Sequence, residues 1–419
     1  MRLRSSAALA VATALFMAAC AGPVSTTRPS VAAPTGAAPT ATAPTATAGT
    51  VTPAPATVPP ATATPAAASP TAPADTTAPT AWKVGVVTDV GTVDDKNFNE
   101  YSYLGAQQGA AAISATDEVG VAVPDDASQY ASLIQDFVDQ DFNIIVTVGF
   151  NLGTDTAIAA KGNPEVWFVG VDQAPCIDEN GDPDPTFACA GDLATLLPNF
   201  VGLQYAEDQA GYLAGIVAAS VSANGNVGAI GGINLVPAVV RYLQGYELGA
   251  QSVNPDINVF SDYVSTSDFT VAFNDPAAGK TFAEQFIDTN DVDVLFQVAG
   301  KTGNGVLEAA CEAGIHGIGV DVDQWLSLAA ESDSTYQCIV TSAEKQLASS
   351  VEATIVAIAD GSAEAGLSFF NASNDGIGLS PEQSGAGLIT AEVQGLIDAA
   401  LAGMQDGSLV TCPETCGTP

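Results

Sequence analysis

From Trp82 onward, short apolar runs alternate with longer stretches in which apolar positions recur at helical spacing. The runs Val84–Thr88, Val119–Val123, Ile144–Val148 and Val166–Val171 predict strands. Between them the spacing predicts helices near Phe98–Ala112 and Ser128–Asp139, and a short one after Gly153. A second series follows, with strands at Val227–Ile230, Ile257–Tyr263, Val292–Val298 and Gly317–Val320. Its helices lie near Pro237–Ser252, near Lys280–Asp288 and from Gly303, and Lys345–Ala359 and Ala391–Met404 read as later helices. Regular strand–helix alternation predicts an α/β protein with parallel sheets.

The two series echo each other. Phe142–Gly149 (FNIIVTVG) answers Asp293–Gly300 (DVLFQVAG), and Gly170-Val171-Asp172-Gln173 answers Gly319-Val320-Asp321, with Gln324 just beyond. This predicts two similar lobes, one mainly 82–200 and one mainly 201–340, with crossovers and helices over 341–410. Connecting strands are expected near Gly191–Gln204 and Thr335–Lys345. A ligand would sit between the lobes, where parallel strands end in polar loops.

The first eighty residues do not share this pattern. Arg2 and Arg4 precede an apolar run, Ala7–Ala18, too short and Ala-rich for a stable membrane span. Residues 1–19 therefore read as a secretion signal ending at Met17-Ala18-Ala19, with Cys20 as the lipid-bearing first residue of the mature chain. Ala21–Thr80 is almost entirely Ala, Pro, Thr, Val, Gly and Ser, which cannot bury enough apolar surface to fold. We read 20–81 as an extended stalk, compatible with O-glycosylation, that lifts the globular part off the membrane.

Composition narrows the function. The net charge is −37, and of ten basic residues Arg2, Arg4 and Arg28 precede the globular part. The seven left are Lys83, Lys96, Lys161, Arg241, Lys280, Lys301 and Lys345, too few to hold a phosphate backbone, which excludes nucleic-acid binding. Setting Cys20 aside, six of the seven cysteines remain, a number that suits disulfides in an exported chain. Many pairings are formally open; proximity favours Cys176–Cys189 and Cys412–Cys416, leaving Cys311–Cys338. With His316 as the only histidine and no CxxC pair, no metal site is expected, nor any cofactor. The carboxylates between Cys176 and Cys189 (Asp178, Glu179, Asp182, Asp184) have a spacing faintly like a calcium loop, but a solvated, disulfide-tied loop explains them better.

The chemistry concentrates in a few loops. Asp89 follows the first strand, as a ligand acceptor or as the start of an Asx turn. Phe98 offers either a stacking ring or the first core residue of its helix, and Asn99 stands beside it. Asp94 and Asp95 suit the positive end of that helix. Asp321 can accept both hydroxyls of a diol, whereas Asp323 and Gln324 suit a helix cap. Phe273, with Tyr242 as the alternate, is the candidate ring of the second lobe. Gly300-Lys301-Thr302 is not a phosphate loop, because Leu295 stands where its first glycine is required.

The segment Lys83–Glu100, with Asp95-Lys96-Asn97-Phe98-Asn99, resembles the first strand and loop of the basic membrane protein family. These are surface lipoproteins that capture nucleosides for ABC importers, typified by purine nucleoside receptors. Gly319–Gln324 (GVDVDQ) and Thr341-Ser342-Ala343-Glu344-Lys345 resemble it as well, and the likeness runs from Lys83 to about Leu401. Asn97 replaces a Ser, and Lys301 departs from a Gly-Gly-Thr-Gly pattern, with a charge that would alter ligand choice if it faces the crevice. The resemblance implies a two-lobe type 1 periplasmic-binding-protein fold and a ligand set of Asp89, Phe98, Asn99, Gly149, Asp172, Phe273, Gly300, Asp321 and Lys345. In that set Asp89 and Phe98 would read a base, and Asp321 and Lys345 a ribose. It also implies an ABC permease partner; a monomer is expected. A sugar or furanose-signal receptor of the same fold, a sensory or adhesive role, and an extracytoplasmic nucleoside hydrolase are the competing readings. No nucleophile–base pair in the sequence supports the hydrolase.

Overall fold

The structure, a computed structural model, describes residues 81–329, 335–412 and 416. The signal segment, Cys20 and the stalk lie outside the described residues. In chain order the first elements are β1 (Val84–Thr88), α1 (Phe98–Ala112), β2 (Gly120–Ala122), α2 (Tyr130–Asp139), β3 (Ile144–Val148), α3 (Gly153–Gly162), β4 (Trp167–Val171), α4 (Leu193–Leu196) and β5 (Phe200–Tyr205). Next come α5 (Glu207–Val221), β6 (Asn226–Gly231), α6 (Pro237–Val253), β7 (Asn258–Tyr263), α7 (Phe269–Phe273), α8 (Pro276–Asn290), β8 (Val294–Val298), α9 (Gly300–Glu312), β9 (His316–Asp321) and β10 (Ile339–Lys345). The chain closes with α10 (Leu347–Asp360), β11 (Gly366–Phe370), β12 (Ile377–Leu379) and α11 (Ala391–Asp406).

These form two six-stranded sheets, ordered β11-β5-β4-β3-β1-β2 and β12-β10-β9-β8-β6-β7. All neighbours pair in parallel except β10 with β12. The orders superpose position by position, with β3 answering β8 and β4 answering β9, as the sequence echo implies. The central strands β1, β3 and β8 are buried at every residue, which is why they read as largely apolar runs.

The chain changes lobe three times: at Ala206, at Gln346, and again between β11 and β12. The expected connecting strands near Gly191–Gln204 and Thr335–Lys345 contain most of β5 and β10, which lie within the sheets with Phe200, Leu203, Ile339 and Val340 buried, and the first two crossings follow directly after them. The expected lobe boundary after residue 200 therefore falls after Tyr205, and α10 and β11 return to the first lobe. Lys345 ends β10 rather than opening a helix; α10 starts at Leu347.

Helix α5 escaped the periodicity reading because it is buried on nearly every side and shows no apolar stripe. It lies against α6 with backbones in contact. A Cβ at Gly211 or Gly215 would strike the carbonyls of Tyr242 or Tyr246, and one at Gly245 or Gly249 would strike those of Asp208 or Tyr212. That close approach fixes Glu207 and Tyr242 beside the interlobe cleft.

The three expected cysteine pairs face each other, with Cα atoms 4.7 Å apart for Cys176–Cys189, 5.2 Å for Cys311–Cys338 and 5.4 Å for Cys412–Cys416. All lie within disulfide reach. In the first loop, Asp178 accepts from the backbone of Asn180 and Asp182, and Asp184 from Thr186, Ala188 and Cys189. Those carboxylates are thus engaged in organising the loop. Among the described residues, no helix is long and apolar enough to cross a membrane.

Candidate ligand cleft

The carboxyl ends of both parallel sheets point into one crevice, the position at which such folds bind ligands. A cavity lies there. All nine residues of the expected set line it: Asp89, Phe98, Asn99, Gly149 and Asp172 from one lobe, Phe273, Gly300, Asp321 and Lys345 from the other.

Each is delivered by a strand end or a helix start. Asp89 follows β1, and its backbone N–H donates to the Val148 carbonyl at 3.0 Å. Its carboxylate accepts from the Asn151 backbone at 3.3 Å. Burial pushes that carboxyl up to about 7. Gly149 has φ +115°, and a Cβ there would strike the Asp89 carboxyl, so only glycine leaves the acid its place. Asp172 and Asp321 end β4 and β9 in the same left-handed turn, with φ +58° and +64°. The repeated Val-Asp of the sequence is therefore a repeated backbone device.

Asp95 caps the start of α1, accepting from the backbone N–H groups of Asn97, Asn99 and Glu100 at 2.9–3.0 Å. This presents Phe98 and Asn99 to the cleft. The Asn99 amide nitrogen donates to the Val90 carbonyl at 2.9 Å, while its buried Oδ1 has no protein partner. Phe273 ends α7 and faces the cavity from the opposite lobe.

Lys345 stands at the centre, with 4% of its surface exposed. Its ammonium lies 2.6 Å from Asp172, 3.2 Å from Glu207 and 3.8 Å from Asp321. The rings of Phe98, Tyr205 and Tyr242 surround it at 5.2–5.6 Å. Burial works against its charge, but the three carboxylates overcome it and raise its pKa well above the ordinary value. Asp172 is pushed up to about 6 by burial, with Lys345 opposing the shift. Burial likewise raises Asp321, which accepts from the Tyr242 hydroxyl at 3.3 Å. One oxygen of Asp172 is buried without a hydrogen bond. The cleft thus offers open acceptors around a held cation, between two aromatic rings.

Several neighbours escaped the sequence reading. Buried Glu207 pairs with half-buried Arg241 behind Lys345, and the lining also takes in Val90, Phe150, Asn151, Val236, Ala238, Val239 and Val298, together with Asp95 and Tyr242. Glu207 carried a weak signal, as an acid opening an otherwise apolar helix; Arg241 was one of few cations. Tyr242, the alternate ring, is only 1% exposed and supports Asp321 from beneath. Gln324 caps no helix: its side-chain oxygen accepts from the Val320 backbone, its amide nitrogen donates to Asn304 Oδ1, and its backbone N–H donates to the Ser342 hydroxyl, each at 3.0 Å. Asp323 does cap the following turn, accepting from Leu326 at 3.1 Å.

Lys301 does not line the cavity. It pairs with Asp94 across the cleft at 3.8 Å, beside Asn304 donating to the Asp95 carbonyl at 3.0 Å and Ser327 to the Lys96 carbonyl at 2.8 Å. These contacts join the two lobes beside the cleft. His316 begins β9, at the end of the strand away from Asp321.

Two lobes of matched, mostly parallel sheets, three crossovers and a cleft at the strand ends define the type 1 periplasmic-binding-protein fold. Among solved structures, an ABC transporter solute-binding protein from Aeropyrum pernix matches with a TM-score of 0.64 and 23% identity, over 80% of this chain and 94% of that one. A second, from Conexibacter woesei, gives 0.59 and 22%, over 81% and 100%.

Residues 82–393 match the family of PnrA-like ABC transporter substrate-binding proteins, Bmp, and the chain belongs to that family. A Lactococcus lactis protein described as an ABC transporter nucleoside-binding protein is 30% identical over 55% of this chain and 59% of its own length. Basic membrane protein A of Borreliella afzelii is 30% identical over 58% and 66%. The match thus spans about three-fifths to two-thirds of these two relatives. A Listeria monocytogenes CD4+ T-cell-stimulating antigen is 27% identical over 72% and 80%.

Proposed function

We propose that this protein is an extracytoplasmic, lipid-anchored receptor that encloses a purine nucleoside between its lobes and delivers it to an ABC permease, without chemical turnover. The observation that carries this reading is the mixed chemistry of one cleft. Asp321 and Lys345 offer a carboxylate and an ammonium suited to the hydroxyls of a ribose. Phe98, its ring 5.3 Å from that ammonium, and Phe273 come from opposite lobes and share the lining with Asp89 and Asn99, a set suited to a planar polar base. The Lactococcus relative's description as nucleoside-binding supports the same ligand class. Lobe closure around that ligand would present a matched surface to the permease. Cys20 supplies the anchor, and the facing cysteine pairs form three disulfides in the exported chain.

Mass spectrometry of ligand released on denaturing the purified protein tests the proposal, followed by calorimetry with inosine, guanosine, adenosine, uridine, ribose and free bases. A released purine nucleoside, bound more tightly than its base, is the expected result. Tight ribose binding with every nucleoside failing would make the protein a sugar receptor; cleavage during the titration would make it a hydrolase. Asp321→Ala should lower nucleoside affinity roughly tenfold to a hundredfold, about 1–3 kcal/mol, by removing the buried diol acceptor.

A further inference from the structure

Glu207 is wholly buried and absent from the cavity wall, yet it is the second-nearest carboxylate to the central cation. It opens α5 immediately after the Ala206 crossover. One of its oxygens lies 3.2 Å from the Lys345 ammonium, and the other accepts from Arg241 Nε at 2.6 Å. Arg241 stands on α6, held against α5 by the glycine contacts described above. The Glu207 carboxylate is thus clamped from both sides.

Without it, the ammonium would have only Asp172 and Asp321 to satisfy its charge. Asp321, now 3.8 Å away, would be drawn in. An acceptor committed to Lys345 has fewer lone pairs left for a ligand's hydroxyls. We propose that Glu207, braced by Arg241, is a positioning residue for the hydroxyl-binding side chains of the cleft. It pulls Lys345 back so that Asp321 stays open to a diol. The role rests on the nucleoside reading above, and extends it to residues that touch no ligand.

Burial works against charge on Glu207, but Lys345 and Arg241 overcome it and hold the carboxyl below its usual range. The pair therefore stays ionised, so its pull on Lys345 does not fade around neutrality.

The test is calorimetry of the purified full chain with inosine and hypoxanthine as probes. Glu207→Gln should weaken inosine about tenfold while leaving hypoxanthine within about twofold, a split that a general loosening of the fold would not produce. Because Glu207→Gln strands the Arg241 guanidinium, a second variant with both Glu207→Gln and Arg241→Gln removes the pair, and should give the same split. Unchanged inosine affinity, or a parallel loss for both probes in both variants, overturns the proposal. A ligand-free readout separates this claim from the nucleoside reading. NMR of the Lys345 ammonium should give a slowly exchanging signal in the wild type that is lost in Glu207→Gln. If wild-type protein binds no inosine, the nucleoside reading falls. The ammonium signal then decides the positioning claim, and a signal unchanged by Glu207→Gln overturns it.

Discussion

Lys345→Met is the most informative single change to this protein. Methionine keeps the length and apolar body of the side chain but leaves Asp172, Glu207 and Asp321 around a site with no cation, with Arg241 reaching only Glu207. Removing one partner from a buried ion cluster costs about 3–5 kcal/mol, because the remaining charges are stranded. Asp172 points the same way. Its carboxyl is already pushed up to about 6 by burial even with Lys345 beside it, and losing the ammonium raises it further, which is the part that enters the deficit. The sign with pH follows from this direction. A carboxyl whose folded pKa lies above its unfolded value costs nothing when protonated in both states. The cost grows as pH climbs through the unfolded value and levels off above the folded one. The deficit of Lys345→Met should therefore be about 3–5 kcal/mol at pH 8 and clearly smaller at pH 5. Urea unfolding of wild type and variant at both values measures it. A deficit below about 1 kcal/mol at pH 8, or one independent of pH, would refute the cluster as the electrostatic centre of the cleft.

Other perturbations address other parts of the site. Phe98→Ala should cost about 1–3 kcal/mol in nucleoside affinity through lost stacking, read by calorimetry; an unchanged affinity would make Phe98 a core residue only. With Asp89 pushed up to about 7, binding that uses its carboxylate should weaken by up to about tenfold per unit below pH 7 and be flat above it. Asp89→Asn should abolish that dependence, and a wild-type affinity constant from pH 5.5 to pH 8 would remove Asp89 from base recognition. Gly149→Ala should destabilise the chain by at least about 1 kcal/mol in thermal or urea unfolding, since its positive φ and the Asp89 carboxyl both exclude a methyl group. Cys20→Ser should release processed protein from membranes in a fractionation experiment; retention after signal cleavage would exclude lipidation at that residue.

The sequence by itself determined the parts of this protein that are local. Strands buried on both faces, such as β1 and β3, must be largely apolar runs, so their places were legible, as was the duplication that gives two matched sheets. Loop residues at strand ends were legible for the same reason: Asp89, Asp172 and Asp321 each follow a run whose end the pattern marks. Helix α5 was not legible, because a helix buried on all sides loses the periodicity that reveals one. Nor was the third lobe crossing, between β11 and β12, since a strand's membership of a sheet depends on its partners rather than its own residues. The tertiary structure alone decided that Lys345 ends a strand instead of opening a helix, that Lys301 clasps Asp94 beside the cleft instead of lining it, and that Glu207 and Arg241 stand behind the central cation. Each is a meeting of charges far apart in the chain. Their distances are set by how two sheets and the glycine-lined α5–α6 contact pack, and nothing in local spacing encodes that.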